Sequence, residues 1–459
     1  MTQQLPTTFE ALGLSRKSLE ALARATYTTP TPIQAQTIPA GLAGKDVIGC
    51  AATGTGKTAA FVLPMVERLG AKPGKGVRGL VLAPTRELAL QIADHARRFG
   101  APHGLEVATL IGGVGMGPQI DALKRAQLVI ATPGRLIDHL GQGTASLNAV
   151  EVLVLDEADR MLDMGFKPQL TRILAKVPKV RQTLLFSATM AGEVAEFARH
   201  NSKDPVRVEV ARSGTTAARA TQEVFEVGQN EKTPLLISLL ASDDDSTLVF
   251  TRTKRRADKL WKALGKVGHT VERLHADRSQ AQRRNALEGF KSGKYRVLVA
   301  TDIAARGIDV ADIGHVVNYD LPHVPEDYVH RIGRTARNQA SGRASSFCAP
   351  DEVPLLRDIE KLTRAKVPRG AIPTDDPVFQ EALTAERSRQ ADPGPRGPSH
   401  GVSQRAPGQQ PGRHARSHPK RSGGGGGGGQ RSGSSSGNNG SSSSGEGARV
   451  LFSGGPRRR

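Results

Sequence analysis

The residues Ala51-Ala52-Thr53-Gly54-Thr55-Gly56-Lys57-Thr58 follow a short apolar run and lead into an apolar helical pattern. Glycines at 54 and 56 let backbone N–H groups turn inward around phosphate oxygens, at the positive end of a helix. Lys57 would then reach the β- and γ-phosphates of a nucleotide, and the Thr58 hydroxyl would ligate Mg²⁺. The generic phosphate-loop pattern has glycine where Ala51 stands, so one position is missed while the binding groups are kept. Further along, the apolar run Val152–Leu155 ends in Asp156-Glu157-Ala158-Asp159. A carboxylate at a strand tip facing a phosphate loop is the usual means of holding Mg²⁺, a role that falls to Asp156. Glu157 beside it is placed to polarise an attacking water as general base. The two segments together predict hydrolysis of a nucleoside triphosphate.

Such groups need rigid elements behind them. Short Val/Ile/Leu runs alternate with longer helical patterns: Asp46–Cys50, Gly79–Ala83, Leu128–Ala131, Val152–Leu155 and Thr183–Phe186, then Thr247–Phe250, Arg296–Ala300 and His315–Asn318. Runs without polar alternation suit strands covered on both faces, hence parallel α/β sheets. In those sheets the loops at strand C-termini carry the chemistry. The reading is an α/β chain with a first domain over 1–210, a polar linker over 211–222 (from Ala211 to Gln222), a second domain over 223–368, and a tail over 369–459.

Composition narrows the partners. The 459 residues hold 64 Lys and Arg against 44 Asp and Glu, a net charge of +20, which favours a polyanion and nucleic acid before a membrane surface. Two cysteines, Cys50 and Cys348, exclude a disulfide framework and a Cys-rich zinc module and fit a reducing compartment. No apolar run approaches the ~20 residues of a spanning helix, and the start lacks a signal pattern, so a cytoplasmic protein without a membrane partner is expected. From Glu381 to Arg459 there are thirteen Lys/Arg against four Asp/Glu, with a glycine run from Gly423 to Gly429 and a terminal Arg457-Arg458-Arg459. So little apolar content predicts a disordered basic arm, suited to nonspecific RNA tethering or to plain solubilisation.

Asp156-Glu157-Ala158-Asp159, the phosphate loop, Ser187-Ala188-Thr189 and His330-Arg331-Ile332-Gly333-Arg334-Thr335-Ala336-Arg337 resemble a DEAD-box ATP-dependent RNA helicase over about residues 9 to 350. The insertion-free layout and the segment Arg160–Phe166 look most like the bacterial RhlE subgroup. The resemblance implies two tandem RecA-like domains, with ATP and Mg²⁺ as cofactors. Ala52, Thr53, Gly54, Thr55, Gly56, Lys57 and Thr58 would hold the phosphates, Gln34 would read the adenine edge, and Tyr27 would stack on the ring with Phe9 behind it. Gly307 and Asp309 would meet the ribose, and Arg334 and Arg337 would cross the cleft to the γ-phosphate.

It also implies an RNA-backbone surface. In the first half it comprises Pro84, Thr85, Arg86, Gly112, Gly113, Thr132, Pro133, Gly134 and Arg135; in the second, Thr251, Arg252, Gln280, Arg283, Thr301 and Asp302. None of these is an aromatic base reader, so binding should be independent of sequence. Ser187, Ala188, Thr189, His330 and Arg331 would couple the ATP and RNA sites. The implied activity is RNA-stimulated ATP hydrolysis driving local, non-processive unwinding, by a monomer, with ribosome precursors or the RNA-decay machinery as candidate partners.

Three positions depart from the family pattern: Ala52 for glutamine, Ala336 for glycine, and Thr26 for the glycine before the aromatic. None removes a reacting group. Two rival readings are an ATP-timed RNA clamp or annealing chaperone, and a double-stranded DNA translocase of the same tandem fold.

Overall fold

Apolar runs as short as four residues become strands here because both faces of each are covered. The computed structural model describes residues 6–51, 54–72, 74–190, 192–210, 220–305, 313–335 and 342–391. The first sheet is built from β1 (Val47–Cys50), β2 (Gly79–Leu82), β3 (Val107–Leu110), β4 (Leu128–Ala131), β5 (Val152–Leu155), β6 (Gln182–Ser187) and β7 (Val206–Glu209). Its order is β3-β4-β2-β5-β6-β1-β7. The second holds β8 (Ala220–Glu226), β9 (Thr247–Thr251), β10 (Val271–Leu274), β11 (Val297–Thr301), β12 (His315–Asn318) and β13 (Gly342–Cys348), in the order β10-β11-β9-β12-β13-β8. Every pairing between these strands is parallel. Helices cover both faces of each sheet, as two separate apolar clusters around the first one record.

β2, β4 and β5 are buried at every position, which is why they read as unbroken apolar runs. The strands that escaped the sequence reading are of a different kind. β3, β7, β8 and β10 are sheet edges with partly exposed faces, so their apolar content is diluted. β13 is internal but carries Ser345 and Ser346 in its core positions, where they are satisfied by His315 Nε2 at 2.8 Å and Asn318 Nδ2 at 3.0 Å.

Two boundaries move. β8 begins at Ala220, inside the expected linker, and 211–219 lie outside the described residues. The expected disordered tail contains a helix, Pro377–Ala391. Just before it, the chain runs along β8, with Val224 N donating to Pro368 O at 2.8 Å and Gly370 N to Val224 O at 2.9 Å. Phe379 and Leu383, 2% and 7% exposed, then dock in the apolar cluster of Leu235, Leu236 and Leu260. Two apolar residues four apart suffice to anchor one helical face, yet they vanish in an average over the polar tail. Residues 392–459 lie outside the described part.

Candidate active site

β1 feeds the phosphate loop, and the helix Lys57–Gly70 starts behind it. Gly54 and Gly56 take φ of 83° and 91°, where an L side chain is strained. Lys57 is buried and its ammonium donates to the Ala51 carbonyl at 3.0 Å. Thr58 follows it, half-buried, in the first turn. Ala52 and Thr53 lie outside the described residues.

β5 places Asp156 and Glu157 at its C-terminal tip. Burial pushes the Asp156 carboxyl up to about 6; the Lys57 ammonium pulls it down and Glu157 pushes it further up. Glu157 itself sits at φ 51°, in the left-handed region, a conformation that costs a non-glycine residue about 1–2 kcal/mol. Among the described residues its buried Oε2 has no hydrogen-bond partner, and Arg160 Nε stands 3.6 Å away. A carboxylate oxygen with no donor of its own can accept a proton from water.

Asp159 serves a different end. Its Oδ2 accepts from Ala188 N at 3.0 Å, Thr189 N at 3.1 Å and the Thr189 hydroxyl at 3.4 Å, while Ser187 Oγ donates to the Thr189 carbonyl. The acidic tip of β5 is thereby fastened to the end of β6.

On the nucleoside side, Gln34 is buried in the helix Pro32–Leu42. Its Oε1 accepts from Thr31 N at 2.9 Å and its Nε2 donates to the Gly56 carbonyl at 3.1 Å. The amide expected to read adenine thus spans a helix start and the phosphate loop. Tyr27 stands edge-on to Phe9 and Phe99, with ring centroids 6.2 and 5.8 Å away.

The first half's expected RNA residues gather beyond β2, β3 and β4. Thr85 caps the helix Arg86–Gly100 by accepting from Leu88 N at 3.3 Å, and it is buried, as are Pro84 and Pro133. Arg86 lies over Gly112 and Gly113, where any Cβ would collide with its guanidinium. Thr132 is half-buried with its hydroxyl 3.4 Å from Leu110 O, Gly134 is exposed, and Arg135 Nη1 donates to Val114 O at 2.8 Å. Burial lowers the Arg86 pKa and repulsion from Arg283 and Arg135 lowers it further, against Glu87. Cations crowded in this way favour an anion such as a phosphodiester.

In the second half the residues are less uniformly available. Thr251 is fully buried, with its hydroxyl 3.4 Å from Thr253 O. Arg252 Nη2 donates to Glu352 Oε1 at 2.6 Å, and Glu352 also holds the buried Lys232 at 2.5 Å. Gln280 and Thr301 are half-buried. Arg283 reaches out of its own half to Glu87 Oε1 at 2.8 Å. Asp302 receives a two-pronged bond from Arg331, 2.6 Å to each oxygen, so Arg331 is a buried tie inside this half. Gly307, Asp309, Ala336 and Arg337 lie outside the described residues.

A small pocket opens where the halves meet, lined by Arg160 from the first and by Asp302, Asp327, His330 and Arg334 from the second. Arg160 Nη1 lies 3.6 Å from Asp327 Oδ1, and Asp327 is 4.0 Å from His330 Nδ1. Burial lowers the His330 pKa, with Asp327 opposing and Arg160 assisting.

The profile of the DEAD/DEAH box helicase family matches residues 31–197, and that of the helicase conserved C-terminal domain matches 231–339. The DEAD-box ATP-dependent RNA helicase CshA of Geobacillus kaustophilus is 45% identical over 376 residues, covering 82% of this chain and 80% of the relative. Its counterpart in Bacillus subtilis is 44% identical over 386 residues, covering 83% and 78%. The chain belongs to the DEAD-box family of ATP-dependent RNA helicases. Among solved structures, S. cerevisiae Dbp5 bound to RNA and ADP BeF3 superposes with a TM-score of 0.72 at 30% identity, covering 83% of this chain and all of that one. Mss116p bound to ssRNA and AMP-PNP gives 0.74 at 28%, covering 84% of each.

With the two halves in place as DEAD-box RecA-like domains, residues that motif reading passed over come into view. Glu87, Arg160, Asp327 and Glu352 are not among the candidates that sequence spacing offers. Each gains its meaning from a partner far along the chain. For Asp327 a weak signal existed: it precedes His330 by one helical turn, on the same face.

Proposed function

We propose that ATP and RNA bind on opposite sides of the cleft between the two RecA-like domains and close it together. The observation that carries this reading is the meeting, at one pocket, of the acid cluster's Arg160 with His330 and Arg334 of the other domain. Neither domain alone completes that site, so hydrolysis should depend on RNA.

Asp156 and Thr58 offer the hard oxygen donors that suit Mg²⁺. The raised pKa of Asp156 marks a buried carboxylate whose charge Lys57 only partly offsets, and a divalent cation fits that environment. When bound, Mg²⁺ would neutralise charge on the phosphates. Lys57 holds the β- and γ-phosphates, Glu157 takes a proton from the attacking water, and Arg334 with Arg337 stabilises charge on the transferring group. Closure bends one RNA strand and expels its partner locally; phosphate release reopens the clamp.

The subgroup reading as RhlE-like rests on the insertion-free layout and the Arg160–Phe166 segment, whereas the relatives compared above carry the name CshA. Work in the cytoplasm as a monomer, on ribosome precursors or with the RNA-decay machinery, completes the proposal. Cys50 and Cys348, which form no disulfide, suit a reducing compartment, and no helix among the described residues is long and apolar enough to cross a membrane. The clamp or annealing reading is not favoured, because the relatives compared above carry the name of ATP-dependent RNA helicases.

The test is ATP hydrolysis with and without single-stranded RNA, on the wild type and Glu157→Gln. Strong stimulation in the wild type and a loss of about 10²–10⁴-fold in the variant are expected. RNA-indifferent hydrolysis would overturn the coupling.

A further inference from the structure

We infer that Asp327 is a positioning residue that couples cleft closure to the acid cluster by capturing Arg160. This rests on the closure reading above.

The helix Pro325–Ile332 divides its residues by face. Tyr328, Arg331 and Ile332 are buried in the second domain, while Asp327 and His330, one turn apart, line the cleft and Arg334 follows just past the helix end. Arg160 sits opposite, on the short helix Ala158–Asp163, with its side chain 4% exposed. Two carboxylates share this guanidinium: Glu157 of its own domain at 3.6 Å and Asp327 of the other at 3.6 Å. Both distances are those of ion pairs rather than hydrogen bonds.

The consequence depends on whether the cleft is closed. With the second domain away, Glu157 is the acidic partner that Arg160 keeps. With the domains together, Asp327 takes a share of the charge, and Glu157 Oε2 is left buried with no hydrogen-bond donor among the described residues. Removing Asp327 leaves a buried guanidinium short of one counter-charge in the closed form only, which disfavours closure.

The measurement is the affinity of the full chain for a non-hydrolysable ATP analogue, with and without single-stranded RNA. It is made on wild type, Asp327→Asn, Arg160→Gln and the double variant. The readout is the ratio of the two affinities, because a folding defect alone weakens both and leaves the ratio untouched. Asp327→Asn should cut the RNA-dependent tightening roughly 5- to 20-fold, and the double variant should be no worse than Arg160→Gln alone. Asp327→Glu, which keeps the charge, should recover part of the ratio. A wild-type ratio in Asp327→Asn, or single effects that multiply in the double variant, overturns the proposal while leaving the closure reading intact. A wild type whose affinity ignores RNA overturns both. Since no hydrolysis is involved, the result is independent of whether Glu157 is the base.

Discussion

The Gln34 amide donates to the Gly56 carbonyl at 3.1 Å, joining the start of one helix to the cap of the next. A Cβ on Gly56 would come 2.5 Å from Gln34 Nε2, at a φ of +91° that already excludes most side chains. The two residues therefore share one constraint. Gly56→Ala should displace Gln34 and raise the ATP concentration needed for half-maximal hydrolysis about tenfold or more, from strain of about 1–3 kcal/mol. Titrating ATP at saturating RNA checks it; unchanged ATP dependence would mean the contact is incidental.

Thr26, which departs from the family's glycine, occupies φ 60°. Its hydroxyl donates to Ala25 O at 2.7 Å and the side chain is exposed, so nothing buried is lost on removing it. Thr26→Gly should relieve left-handed strain of about 1 kcal/mol, partly offset by glycine's extra freedom in the unfolded chain. A urea midpoint that rises slightly or stays level fits; a clear fall would contradict the strain argument.

His315 is fully buried between Ser345 Oγ at 2.8 Å and Arg343 Nη2 at 3.1 Å. Burial first, then the Arg343 charge, pushes its pKa down to about 3, against Asp243. An unfolded histidine takes up its proton near pH 6.5. Across the window between those values the unfolded chain binds a proton that the folded one refuses. Stability from this group is complete above the upper value and falls with pH by about 1.4 kcal/mol per unit below it. Urea unfolding of wild type and His315→Gln at about pH 7 and pH 5 should show a shallower pH loss in the variant. Parallel losses would remove His315 from the account.

Cutting the chain after Ala391 removes eleven Lys/Arg and two Asp/Glu while sparing the helix Pro377–Ala391. RNA affinity should fall and its salt slope become shallower, by roughly 0.7–0.9 for each phosphate the arm contacts. An unchanged slope would make the arm a spacer. Cutting at Gln380 instead also deletes the buried Leu383 and should destabilise the second domain, by an amount on the order of 2–5 kcal/mol.

The chemistry was legible before the fold because it depends on local spacing. Two glycines, a lysine and a threonine in one loop, and two carboxylates after one apolar strand, keep their relation however the chain turns. Fully buried strands were legible for the same reason, since covering both faces demands an unbroken apolar run. Edge strands, the serine-bearing β13 and the helix Pro377–Ala391 were not, because their burial comes from neighbours rather than from their own composition. Likewise the sequence places Arg160, Asp327, Glu87 and Arg283 without pairing them. An ion pair across 167 or 196 positions is a property of how two domains meet, and only the tertiary structure decides it.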